Sequence, residues 1–230
     1  MAIEARFEGI LGAARDVIAR RGFQQASIRE IASASGLSLA GLYHYVGGKD
    51  ELLFLVLDRA LDRLLAALEA ACREASTPGG QLHALVHTHL DFAAGDPHAL
   101  KIINRDYDLL AEPHHAEVAA KRQDYVQRAL AILRELDPHQ RSEEELLSAT
   151  NPLLGMLNGI GTRPFVRSGG SVRVLASDVA SLFLHGFLGG PAKPSRHDPE
   201  LVERGCARPA QDGVGSGALP DLDHGDRGRA

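Results

Sequence analysis

Apolar residues recur at three- and four-residue steps along most of this chain, the spacing that puts side chains on one face of an α-helix. Over residues 5–21, Phe7, Ile10, Leu11, Ala14, Val17 and Ile18 fall on one side, and Gly22 follows as a helix terminator. Ser27, with Glu30 three residues on, has the form of a capping box opening the short helix "IREIASAS", which Gly36 ends. Ser38 then caps "LAGLYHYV", Gly47-Gly48 breaks it, and Lys49 to about Glu74 reads as a long amphipathic helix. Beyond "STPGG" (76–80), the same periodicity predicts helices near 81–94, 97–110, 114–136, 142–161 and 172–188. Asp96-Pro97, Glu112-Pro113 and Asp137-Pro138 punctuate them. No segment alternates as a strand does, and no internal repeat occurs, so the expected fold class is all-α. From 190 to 230 the periodicity gives out among seven glycines and five prolines, and this tail is expected to be disordered.

Composition narrows the picture. With 230 residues, 44% of them hydrophobic, the chain can bury a substantial core. No run approaches the roughly 18 apolar residues that span a bilayer. The first twenty residues mix Glu, Arg and Asp with apolar positions, unlike a signal peptide. Cys72 and Cys206 lie far apart and match no metal or redox spacing, so free thiols in a cytoplasmic protein away from the membrane are expected. The net charge of −5 argues against a globally basic nucleic-acid coat, but it is unevenly distributed. Residues 1–50 carry six Lys/Arg against five acids, or +1; residues 51–189 carry 13 against 18, or −5. Any nucleic-acid footprint must therefore be local and N-terminal.

Two short helices separated by "SGLS" have the form of a helix-turn-helix, in which a glycine permits the turn and the second helix enters a DNA major groove. Ile28, Ile31, Ala32, Leu37 and Leu42 supply apolar contacts between the helices. Ser38, Ala40, Gly41, Tyr43 and His44 are left to face outward. Tyr43, His44 and Lys49 can donate to phosphate oxygens, as can Ser27 and Ser38 beside the free amides of their helix starts. The small surface at Leu39, Ala40 and Gly41 would let the backbone approach base edges, with Leu39 or Ala40 against a thymine methyl. The plain alternative is two packed helices in an all-α core.

"ASIREIASASGLSLAGLYHYVGGKDELL", with "RRGF" ahead of it, closely resembles the DNA-binding signature of the TetR family of bacterial transcriptional regulators, over residues 5–57. The resemblance implies a three-helix DNA-binding domain over residues 1–50 and a helical ligand-binding and dimerisation domain over 51–189. It implies phosphate contacts from Ser27, Tyr43 and Lys49, base contacts from Arg29, and a recognition face of Leu39, Ala40, Gly41 and His44. Many relatives carry Lys, Gln or Arg at the position of Leu39, and Thr or Ser at that of Gly41. Direct readout here must lean on Arg29, His44, apolar contacts and DNA shape.

For the second domain, the resemblance implies an effector site among the middle helices. Candidates are His89, Phe92, Ile103, Tyr107, Tyr125, Leu154, Leu157 and Asn158, with Leu85, Met156 and Phe165 beside them. Any one apolar member of this set is as readily explained as core. His89 and Asn158 are polar residues on apolar faces, the kind that orient a ligand. "LLAEPHHAEVAAKRQDYVQRALAILREL" resembles a helix of acyl-CoA-responsive members, and Lys121, Arg122, Tyr125 and Arg128 could hold a CoA phosphate. The tryptophans that often line such relatives are missing. The effector is thus expected to be a small apolar molecule or an acyl-CoA. Residues 142–161 and 172–188 are rich in Gly, Ala and Ser beside Leu and Phe, which allows close helix approach. They either pair with each other or build the interface of a homodimer, whose two reading helices would sit about 34–36 Å apart.

The expected function is a ligand-responsive regulator, a repressor released from a palindromic, double-stranded operator, without cofactor. The rival is a helical small-molecule-binding or adaptor protein that reads no DNA. No phosphate loop, nucleophile elbow or HExxH motif speaks for an enzyme. His83 and His87 stand four apart and His114-His115 opens a helix, but no defined third ligand accompanies either pair, so no metal site is expected.

Overall fold

The computed structural model describes residues 2–163 and 171–189. The expected tail, 190–230, and the pocket candidate Phe165 lie outside them. The described residues form helices α1 (Ala2–Arg21), α2 (Ile28–Ala34), α3 (Leu39–Tyr43), α4 (Lys49–Glu74) and α5 (Pro78–Gly95). They continue as α6 (Pro97–Arg105), α7 (His114–Leu136), α8 (Glu143–Gly161) and α9 (Val172–Leu188). No strand occurs among them, and none of these helices is long and apolar enough to cross a membrane.

Local chemistry sets most boundaries. Gly22 and Gly36 adopt φ of +85° and +67°, the left-handed turn that ends α1 and α2. At α2 the Gly36 amide donates to the Ser33 carbonyl and the Leu37 amide to Ala32, so the two bonds of a Schellman motif close the helix. α5 starts three residues ahead of its expected position because Thr77 accepts from the Gly80 amide and Pro78 sits at the first helical position. The helix expected over 97–110 is divided. α6 stops at Arg105, and a single 3-10 turn, Tyr107–Leu109, follows a buried Asp106. That carboxylate leaves the helical run to accept from Arg105 and from the Phe23 amide.

The core consists of two apolar clusters. The first joins α1, α2, α3 and the front of α4 (Leu52, Leu53, Val56, Leu57, Ala60 and Leu61) to Ala99, Ile102 and Ile103 of α6 and Val118 of α7. The second gathers α5, α7, α8 and α9 around Leu64 and Leu68 of the same α4. The changeover falls between Leu61 and Leu64, so one helix of 26 residues is shared by both cores. Gly161 marks where α8 meets α5 and α6. A Cβ there would lie 2.7 Å from Ala93 Cβ and 2.9 Å from Leu100 Cδ2, which makes glycine a packing requirement. Ala176 and Ala180 are buried likewise. Gly155, Gly159 and Gly186 face open space, and Val174 and Leu182 of α9 are exposed.

Candidate functional site

The two short helices are held by their caps. Ser27 Oγ accepts from the Glu30 amide at 3.1 Å and Ser38 Oγ from the Gly41 amide at 3.0 Å. The expected box at α2 is half formed, because Glu30 turns to Arg21 (3.2 Å) and not back to the Ser27 amide. Ile31, Ala32 and Leu42 are buried in the first cluster, while Ser27, Arg29, Ser38, Ala40, Tyr43 and His44 are exposed. Both serines accept through oxygen and keep their hydroxyl protons for donation. Leu39 and Gly41 are half-buried. A Cβ at Gly41 would sit 3.2 Å from Ser38 Oγ, so this glycine also makes room for its own helix cap.

Lys49 has a different place from the one expected. Its ammonium donates to the carbonyls of Phe23 (2.9 Å), Gln24 (3.3 Å) and Ala26 (3.1 Å), and lies 4.5 Å from the centroid of the Phe23 ring. All three of its protons are engaged within the protein, where they gather the carbonyls of the α1–α2 loop. In this arrangement Lys49 is a clasp on that loop and has no proton left for a phosphate.

A second site lies inside the helical body. A cleft of about 310 Å³ opens among α4, α5, α6, α7 and α8, and brings together His89, Ile103, Tyr125, Leu154 and Asn158. Leu61, Leu64, Leu100, Asn104, Arg122, Val126, Asn151 and Gly155 complete its lining. Three expected members are elsewhere. Leu157 is fully buried in the second cluster, as is Leu85; Phe92 lines a separate polar cleft with Arg15, Arg63, His87 and Asp91. Tyr107 lies between the His115 ring at 4.7 Å and the Arg122 guanidinium at 4.4 Å. Met156 packs at the edge of the second cluster.

The cleft holds a buried polar pair. His89 Nδ1 and the Tyr125 hydroxyl are 2.9 Å apart. Burial pushes the His89 pKa down to about 4, which Asn158 only partly offsets, so the ring is neutral near pH 7. Burial likewise raises the Tyr125 pKa. Among the described residues His89 Nε2 finds no partner in hydrogen-bond geometry, Asn158 acting on the ring only weakly, and an unmet buried polar atom costs roughly 1–3 kcal/mol. At the rim, Asn104 Nδ2 donates to Asn158 Oδ1 at 3.2 Å, and Arg122 donates to the Ile103 carbonyl at 2.9 Å.

The expected basic cluster does not assemble. Lys121 is bound by Asp58 and Asp62 of α4, and Arg128 by Asp124 and Glu69, so only Arg122 and Tyr125 of the four line the cleft. Helical spacing put all four on one helix, but the acids of α4 decide where the cations end.

The cleft and the N-terminal helices are connected through α6. Leu100, Ile103 and Asn104 line the cleft, while both ends of the helix grip α1. At its start, Asp96 caps the helix by accepting from Ala99 N (3.0 Å). It also binds Arg15 of α1 (3.0 Å) and Arg63 of α4 (2.6 Å). His98 Nδ1 stands 3.0 Å from Asp16 Oδ1. Burial would raise the Asp16 carboxyl, but hydrogen bonds from His98 and Arg15 hold it below its usual value. At the other end, Arg105 donates to the carbonyls of Ile18 (2.7 Å) and Ala19 (3.3 Å) in the last turn of α1.

Both halves match known families of domain. Residues 10–56 match the model described as bacterial regulatory proteins, tetR family, and residues 75–187 a tetracyclin repressor-like C-terminal domain. The chain is 33% identical over 107 residues to the HTH-type transcriptional activator FasR of Mycolicibacterium smegmatis, covering 46% of this chain and 48% of that one. It is 26% identical over 100 residues to the fatty acid metabolism regulator protein of Bacillus subtilis, 44% of this chain and 51% of that one. The matched segments thus span about half the length of these curated relatives. A TetR-family transcriptional regulator from Bordetella parapertussis superposes with a TM-score of 0.74 at 25% identity, over 80% of this chain and 96% of that one.

Proposed function

Since this chain belongs to the TetR family of bacterial regulatory proteins, we propose that it is a homodimeric transcriptional repressor, released from a double-stranded palindromic operator when an apolar or acyl effector fills the cleft. The observation that carries this reading is α6, which lines the cleft with one face and grips α1 at both ends. A ligand that displaces Leu100 or Ile103 moves α6, and α1 moves with it through Asp96, His98 and Arg105. α4 follows through the core it shares with α1. Such a route can carry a coupling of about 1–3 kcal/mol, and the coupling is reciprocal: DNA must weaken the effector by the same factor.

On the reading surface, Ser27, Arg29, Ser38, Tyr43 and His44 take phosphates and polar base edges, and Leu39, Ala40 and Gly41 lie against the groove floor. The exposed Gly159, Val174 and Leu182 favour α8 and α9 as the dimer interface, since among the described residues nothing covers them. The name of the Bacillus relative, a fatty acid metabolism regulator, supports an acyl effector here. Repression follows where the operator overlaps a promoter; the FasR relative is named an activator, so the operator's position sets the sign.

The test is fluorescence anisotropy with DNA flanking the protein's own gene, at low micromolar protein and several salt concentrations. A salt-dependent rise that acyl-CoA reverses supports the reading. No salt-sensitive binding would sink it, and would favour the adaptor alternative to which the bare α3 surface also points.

A further inference from the structure

The proton count at His89 constrains what the cleft can hold. The His89 ring is 3% exposed, and its Nδ1 shares one hydrogen bond with Tyr125. Two tautomers are possible for the neutral ring. If Nδ1 carried the proton, it would donate to the Tyr125 oxygen, leaving the phenol proton and the bare Nε2 lone pair both unmet. If Nε2 carries it, the Tyr125 hydroxyl donates to Nδ1 and a single group is left over, the Nε2 proton. The second arrangement leaves fewer buried groups unmet and is therefore favoured. His89, whose ring lines the cleft, thus holds an unused buried donor beside the uncharged Tyr125 and Asn158. Asn158 Oδ1 accepts from Asn104 and keeps one lone pair turned to the polar part of the cleft, while the Asn158 amide hydrogens are further donors.

Resting on the effector-binding reading above, we propose that the cleft selects an acyl compound by its uncharged carbonyl oxygen, which accepts from His89 Nε2 with Asn158 beside it, and that a fatty acyl thioester is the effector class. A free fatty acid would bring a full charge to this depth, where a neutral imidazole and a phenol offer no counter-charge and desolvation opposes entry. A plain hydrocarbon would leave the Nε2 proton unmet. The cation of the lining, Arg122, is anchored on the Ile103 carbonyl and the Tyr107 ring, at the rim where the polar carrier of a thioester would emerge.

Isothermal titration calorimetry on the full chain tests this with three probes: octanoyl-CoA, its S-octyl-CoA thioether, and octanoate. The thioether keeps the chain and the carrier but lacks the carbonyl oxygen. Octanoyl-CoA should bind the wild type about tenfold more tightly than the thioether, a difference of about 1.4 kcal/mol. His89→Phe should erase that preference while thioether affinity persists, which also shows that the variant folds; His89→Gln, which keeps a donor, should retain part of it. Equal affinity of the two CoA probes for the wild type would overturn the inference while leaving an acyl-CoA effector standing. A preference unchanged in His89→Phe, or octanoate binding most tightly, would overturn it as well. Binding of none of the three would instead defeat the acyl effector reading from which it starts.

Discussion

Helix α6 separates two polar assemblies of opposite character. On the α1 side, Arg15, Asp16, Arg63, Asp96, His98, Arg105 and Asp106 form a closed set in which each carboxylate meets a cation or an amide. On the cleft side, His89 and Tyr125 satisfy each other but leave Nε2 unmet. A closed network fixes geometry, because every member loses something if another moves. An open one carries a standing cost that a ligand can remove. Nine residues of helix therefore join a rigid coupling to a vacancy in hydrogen bonding, and the contrast can be broken or sharpened at each member.

The largest effect is expected at Asp96. Asp96→Ala uncaps α6, removes the carboxylate that Arg63 binds and leaves Arg15 with Asp16 alone, so stability should fall by about 3–4 kcal/mol in urea unfolding. An unchanged midpoint would mean that the closed set is ornamental. His89 tests the open side through pH. Its folded pKa of about 4 lies below the unfolded value of 6.5, so between these limits the unfolded chain binds more protons. Stability conferred by neutral His89 is complete above pH 6.5 and is lost as pH falls toward 4. The wild type should lose about 3 kcal/mol more than His89→Gln between pH 7 and 4, measured by chemical unfolding at each pH.

Lys49 belongs to a second closed set, this one made of carbonyls. Lys49→Ala should cost about 1–2 kcal/mol of stability and leave the salt slope of DNA binding unchanged. A slope flatter by about one unit would put the ammonium back on phosphate. The smallest effect is at Ser38. Ser38→Ala should cost about 1 kcal/mol by thermal unfolding, whereas Ser38→Asp should keep the cap and weaken DNA binding at low salt, since a carboxylate cannot donate to a phosphate. If Asp binds DNA as well as Ser does, that hydroxyl is a cap alone.

These contrasts also mark how far the sequence was legible. Helix ends written in local chemistry were readable: Gly22 and Gly36, Ser27 and Ser38, and Pro97 all fall where the pattern predicts. Even so, local signals can be outbid. The box expected at Ser27 and Glu30 lost its acid to Arg21, while a reciprocal box forms at Ser142 and Glu145. What pattern could not show was rotation about helix axes and the partners of long cations. Asn158 lines the cleft while Leu157, about 100° around the same helix, is core. Lys49 lies 26 residues from Phe23 in sequence, and only the fold brings it to that carbonyl. Asn104 and Leu100 escaped notice because α6 is short and its apolar spacing reads as core, although an Asn one position after Ile103 was a visible signal.

The shared helix α4 has a mechanical corollary. Its two cores change over between Leu61 and Leu64, and the segment from Lys49 to that point is a stiff arm of roughly 18 Å at about 1.5 Å per residue. A tilt of about 5° at the changeover would swing the Lys49 end by roughly 1.5 Å, a displacement easily hidden in the packing of any one side chain. In a two-fold dimer both arms swing, and the separation of the reading helices changes by up to about 3 Å against a groove repeat of about 34–36 Å. In the proposed dimer such an arm would work as a displacement amplifier, and an effector would need to shift its own surroundings by only a fraction of an ångström to spoil the fit to DNA.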